Sequence, residues 1–178
     1  MASLLLGMAG ATTLAPLDLA DQVKKADLIL HIKVKGIQVQ NDNASDLPWR
    51  IYAFDVLETL LGDPKTLPAS DDDKTNGLPT LAVLGGGDLT LEFAPELKPV
   101  NEEKGKEWSG EYIVMLYKPL SKELGKSYDN PIVGFNQGIY SVQNSVVAPL
   151  GNNPTVLDEA DQALLVFKNK IVSLRGAP

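Results

Sequence analysis

One histidine and no cysteine limit the chemistry open to this chain of 178 residues. A catalytic dyad or triad with an imidazole base would have to be built on His31. That residue lies in Leu28-Ile29-Leu30-His31-Ile32-Lys33-Val34-Lys35, where Leu28, Leu30, Ile32 and Val34 share one face. His31, Lys33 and Lys35 share the other, which is the period of a half-buried strand. On that reading His31 is a solvated strand residue, and His31→Ala is expected to leave stability nearly unchanged. The absence of cysteine removes disulfides, thiolate nucleophiles and zinc–sulfur sites together.

The other residues that could carry chemistry each have a plainer use. Gly85-Gly86-Gly87-Asp88 follows a short apolar run, as phosphate-binding loops do, but the G-x-G-x-x-G pattern and the Lys-Ser/Thr ending are missing. A glycine bend at a sheet corner is expected, with room for a ligand at its rim. Asp71-Asp72-Asp73 offers oxygen ligands for calcium without EF-hand spacing, so a solvated acidic loop is expected there. Glu92 with Glu96, or Glu102, Glu103 and Glu107, could pair as in glycoside hydrolysis, although such spacing is common on any charged surface. Trp49 and Trp108, with Tyr112, Tyr117, Tyr128 and Tyr140, could stack on sugars, while burial is the usual employment of large aromatics.

Composition sets the outer bounds. The length suits one domain with a sizeable core. Net charge is −7 with a pI near 4.7, and lysines alternate with acids as in Glu102-Glu103-Lys104-Gly105-Lys106-Glu107. Nucleic-acid affinity rests on basic residues displacing counterions, so that class of partner is not expected. The apolar, small-residue run 1–15 resembles the second half of a secretory signal, with Ala9-Gly10-Ala11 as a small-x-small site. It lacks a basic start and is too short to span a bilayer. It is read as a signal-peptide remnant or N-terminal extension, the alternative being a buried N-terminal segment.

The remaining pattern is that of a β protein. Pro16 to Lys25 can form two helical turns with Asp18 as N-cap. Strands are expected at Ala26–Gly36, Arg50–Glu58, Leu81–Leu84, Glu111–Tyr117, Asn130–Phe135, Gly138–Val142 and Val146–Ala148, with Leu89–Phe93 a continuation after the glycines. Glu111–Tyr117 is apolar on both faces and is expected to be central. The polar stretch Pro68–Pro79 is read as the most mobile segment. A helix is expected over 155–175, with Thr155 as N-cap and Leu157, Ala160, Leu164, Phe167, Ile171 and Leu174 as its packing stripe. Strands and helices do not alternate, which argues against a doubly wound fold.

Four segments resemble a group of uncharacterised, mostly secreted bacterial domains. Ala26-Asp27-Leu28-Ile29 is similar to their "ADLVV" strand start, and Val56-Leu57-Glu58-Thr59-Leu60-Leu61-Gly62-Asp63 to their "V-x-E-V-L-K-G". Gly110-Glu111-Tyr112-Ile113-Val114-Met115-Leu116 resembles "G-E-x-Y-L-L-F-L", and Gly134-Phe135-Asn136-Gln137-Gly138-Ile139-Tyr140-Ser141-Val142 resembles "G-x-x-Q-G-x-F-x-V". The resemblance covers about Ala26 to Val142. It implies an OB-like barrel in the style of netrin and metalloproteinase-inhibitor modules, and no activity. Leu61 stands where the group usually has a basic residue. Tissue inhibitors of metalloproteinases place an N-terminal cysteine on the protease's zinc, and this chain has no cysteine to do so.

The resulting expectation is an all-β fold with flanking helices: an OB-like antiparallel β-barrel plus a C-terminal α-helix, as one domain over 16–178. The expected function is a non-enzymatic exported binding or protein-interaction module, secreted or periplasmic. A carbohydrate-binding barrel is the alternative, followed by a carboxylate-based hydrolase. The partner is a protein or a small neutral or cationic ligand, with no nucleic acid, no membrane in the mature form, no cofactor and no metal. Trp49, Gly86, Gly87, Asp88 and Trp108 are the candidate ligand-binding residues.

Overall fold

The computed structural model describes residues 15–42, 45–89, 91, 94–101, 108–118, 131–151 and 153–176. Helix α1 (Leu19–Lys25) opens where Asp18 accepts from the Asp21 amide at 2.7 Å and ends on Lys24 and Lys25. Capping and dipole thus agree with the sequence. Two 14-residue strands follow, β1 (Leu28–Asn41) and β2 (Pro48–Leu61), both longer than expected. They pair antiparallel, with register slips between Ile29 and Leu30, His31 and Ile32, and Val34 and Gly36. Each slip adds local twist.

Strand β3 (Thr80–Leu84) lies on β2, and β4 (Glu111–Leu116) lies on β1. Strands β5 (Ile139–Gln143) and β6 (Val146–Pro149) follow outward from β4. All neighbours are antiparallel, in the order β3-β2-β1-β4-β5-β6. β4 is interior, with Tyr112 to Leu116 buried, as its two apolar faces require. The expected closure is not made: among the described residues no pairing joins β3 to β6, and the sheet is open.

Two cores lie on opposite faces. Leu28, Leu30, Ile32 and Val34 join Tyr52, Phe54, Leu81, Val83, Tyr112 and Val114, with Leu67, Leu97 and Ile132 closing over them. Ile29, Ile113, Met115, Tyr140 and Val147 face α1 and helix α2 (Leu164–Gly176), which contributes Phe167 and Ile171. The first half of β1 is therefore buried on both faces. Among the described residues no helix is long and apolar enough to cross a membrane.

Three expected elements differ. Residues 153–158 are not helical; a 3-10 turn occupies Glu159–Gln162 and α2 begins only at Leu164. Thr155 cannot cap a helix because its hydroxyl accepts from Gln22 Nε2 at 2.7 Å and donates to the Leu17 carbonyl. Local side-chain bonding has displaced helical structure. From the expected stripe Phe167 and Ile171 are buried, Leu157 and Leu164 pack at the margin, and Leu174 is exposed. The Ala160 side chain lies outside the described residues.

The expected strand over Asn130–Phe135 reduces to one bridge, Ile132 to Leu116. Gly134 and Phe135 at φ 61° and 67° then turn the chain, and Asn130 lies outside the described residues. The expected continuation at Leu89–Phe93 is absent at its start, since Leu89 folds back on Gly86; Thr90, Glu92 and Phe93 lie outside the described residues.

Candidate ligand groove

β2 is much longer than its neighbour β3. Pairing between them runs only from Trp49 with Leu84 to Ala53 with Thr80. The last backbone bond on that side is the Phe54 amide donating to the Pro79 carbonyl at 3.2 Å. Beyond it β2 continues to Leu61, and the chain returns through a 3-10 turn at Pro64–Thr66 and a folded loop. The loop is closed by Ser70 amide to Leu78 carbonyl (2.7 Å), Gly77 amide to Ser70 carbonyl (2.9 Å) and Thr80 amide to Pro68 carbonyl (2.8 Å). The stretch read as mobile is therefore a hydrogen-bonded turn. Inside it the Lys74 amide donates to Asp72, which holds the Asp72 carboxyl below its ordinary pKa.

Because this return path stands off from β2, a groove of about 800 Å³ opens between them. Phe54, Asp55, Val56 and Leu57 form one side; Leu67, Pro68, Leu78 and Pro79 dominate the other. The volume is in the range of ordinary ligand sites, which are mostly apolar with a few polar groups. Asp55 pairs with Lys35 at 3.5 Å, with both side chains about half exposed, so the pair adds little stability.

The residues singled out from sequence lie elsewhere. Trp49 and the glycine turn do meet at one end of the sheet, where the Gly85 amide donates to the Pro48 carbonyl at 2.8 Å. Gly86 and Leu89 exchange two backbone bonds, and Gly86 at φ 129° packs against Val39 and Arg50. Gly87 and Asp88 are exposed at the tip. Trp49, however, is only 7% exposed, and its indole donates to Asp42 at 3.1 Å. Trp108 is half-buried, 6.4 Å from the Tyr112 ring. Its buried indole N–H approaches the Tyr112 hydroxyl without a hydrogen bond of ordinary geometry.

His31 overturns the expectation of a solvated residue. It is 6% exposed, with Nε2 3.1 Å from Glu111 Oε2 and Nδ1 3.0 Å from Lys168 Nζ. An ammonium group cannot accept, so Nδ1 accepts and Nε2 carries the proton donated to Glu111. Lys168 also reaches Glu58 at 2.5 Å. Burial first, and then the Lys168 charge, hold the His31 pKa below 6.5. Both ring nitrogens are engaged, so the imidazole joins α2 to the sheet and has no free lone pair for a substrate proton.

Among the described residues no three His, Asp or Glu gather as a metal site. Glu96 is exposed; Glu92, Glu102, Glu103, Glu107 and Tyr128 lie outside the described residues. The groove residues were missed because each has an unremarkable neighbourhood in sequence. One signal was available: a long second strand, a short third, and Pro64, Pro68 and Pro79 between them. No protein-family model matches the chain, and no curated protein matches its sequence.

Proposed function

We propose that this chain is an exported, non-enzymatic binding module, secreted or periplasmic, that holds a neutral or cationic partner in the groove beside β2. The groove carries the reading: it is a concavity of about 800 Å³, and its walls are mostly apolar. Apolar walls suit capture by desolvation, with a few polar groups setting orientation. The acidic balance favours encounter with cationic partners, disfavours anionic ones and leaves neutral ones to the apolar walls. An OB-like barrel remains the architectural proposal, supported by β1 pairing with both β2 and β4 in an all-antiparallel sheet that is open among the described residues. Export rests on the run 1–15 and on the resemblance to secreted domains. The carbohydrate alternative needs an open aromatic platform, and Trp49 is turned inward.

Titration with Nile red, a neutral apolar dye, tests this reading. Its fluorescence should rise, and Leu57→Lys should weaken binding about tenfold by putting an ammonium in the groove. Binding that leaves the amides of 54–57 unshifted in NMR spectra, or no binding, would overturn the reading.

A further inference from the structure

The groove has a backbone edge as one of its walls. Alternate residues of a strand turn their N–H and C=O to opposite sides. Phe54 faces the β3 side, since its amide donates to Pro79. Its register partner Val34 accordingly faces away from β2, donating to the Gly110 carbonyl at 2.8 Å. Val56, two residues on and paired with Ile32, repeats that orientation into the groove. Among the described residues the Val56 amide and carbonyl have no hydrogen-bond partner on that side. At Leu57 the register slips, His31 pairing with Glu58 and Ile32 with Val56, so a bulge ends the regular edge. Leu57 itself is 46% exposed.

The opposite wall does not satisfy this edge. Pro68 and Pro79 have no N–H, and the amides of Leu67 and Leu78 already donate to the Pro64 and Thr75 carbonyls. A polar edge beneath an apolar wall is what an extended peptide matches: its main chain pairs with the edge and its alternate side chains enter the wall. Charge then selects the flanks. Of the acidic side chains in 55–79, Asp55 pairs with Lys35 and Glu58 with Lys168, which leaves Asp63, Asp71, Asp72 and Asp73 against Lys65 and Lys74. A second copy of the chain would bring the same excess against itself.

We infer that the groove accepts an extended segment of another protein, apolar at alternate positions and flanked by Lys or Arg, added as a strand to β2 at Val56. The inference rests on the groove reading above and names its occupant.

The probe is a synthetic decapeptide of alternating valine and threonine between paired lysines, titrated into the full chain. A second peptide carries N-methyl groups on the valines, and a third has glutamate in place of lysine. Saturation with the first should slow Val56 amide hydrogen exchange about tenfold, while N-methylation weakens binding by about the same factor. The glutamate peptide should bind more weakly, and salt should narrow the difference. Equal binding of the N-methylated peptide would overturn strand addition, as would no peptide binding at all. In both cases Nile red shifting the amides of 54–57 would leave the groove reading intact. Failure of the dye as well would remove both. Val56 protection that grows with protein concentration without peptide would assign the edge to a second copy and overturn the inference.

Discussion

The helix-covered face of the sheet and the outer half of β2 treat polar atoms in opposite ways. Under the helices, Gln22 is fully buried and fully engaged. Its Nε2 donates to the Leu17 carbonyl (3.0 Å) and to Thr155, and its Oε1 accepts from Tyr140 at 2.7 Å. Asn153 donates to the carbonyls of Gln137 and Ile139, and Gln137 accepts from the Leu17 amide. His31 is held between Glu111 and Lys168 in the same manner. Beside β2 the backbone edge at Val56 borders an apolar groove instead. Buried polar groups require partners; apart from the buried Asn136 Oδ1, these side chains have theirs, while the second region is a surface with capacity left over. Rigidity belongs to one, and the binding proposed above to the other.

The largest test breaks the completed side. Phe167 is fully buried, with its ring centroid 4.9 Å from that of Tyr140. Phe167→Ala should cost about 3–5 kcal/mol in urea unfolding, through lost transfer energy and the cavity left behind. A loss below about 1 kcal/mol would mean that α2 does not cover the sheet as described.

A smaller effect is expected at His31. His31→Ala should cost about 1–3 kcal/mol, by leaving the inward groups of Lys168 and Glu111 without their partner. The pH dependence follows from the lowered pKa. The unfolded chain takes up the proton near 6.5 and the folded chain only at lower pH. The unfolded state therefore binds more protons in that window, and stability rises with pH. The contribution is fully present above 6.5, declines as pH falls below it, and stops changing beneath the folded pKa. Thermal melts across this window should show a decline that His31→Gln flattens.

The smallest stability effect belongs to the open side. Leu57→Lys should change stability by no more than about 0.5 kcal/mol, because the side chain is already exposed. Its effect should fall on Nile red and peptide binding alone. A large loss of stability would show that the groove wall is structural and would erase the contrast between the two regions.

Much of the fold was legible from local pattern. Asp18 with Lys24 and Lys25 marks both ends of α1, and Leu28, Leu30, Ile32 and Val34 mark a strand face. The unbroken apolar run in Tyr112–Leu116 marks an interior strand. These signals are short-ranged, since capping, dipole and side-chain alternation act within a few residues.

What the tertiary structure decided involves residues far apart in the chain. Leu28, Leu30, Ile32 and Val34 were legible as buried, but Ile29 and His31 on the odd face are buried too, under the helices, while Lys35 stays exposed. That turns His31 from a solvated residue into a buried one, through Lys168 standing 137 positions away. Thr155 looked like a helix cap until Gln22, 133 positions away, used its hydroxyl. Trp49 and the glycine turn were legible as neighbours of strand ends, and only packing turned the indole onto Asp42. The groove is the extreme case. No residue in it is distinctive alone, and it exists because β3 pairs with β2 only to Ala53 while the return path from Pro64 to Pro79 stands away from Val56. Sequence by itself determined where the centres of β1 to β6 would lie and what charge they carry. Where a polar atom finds its partner, and where an edge is left without one, depends on distances between segments that only the folded chain sets.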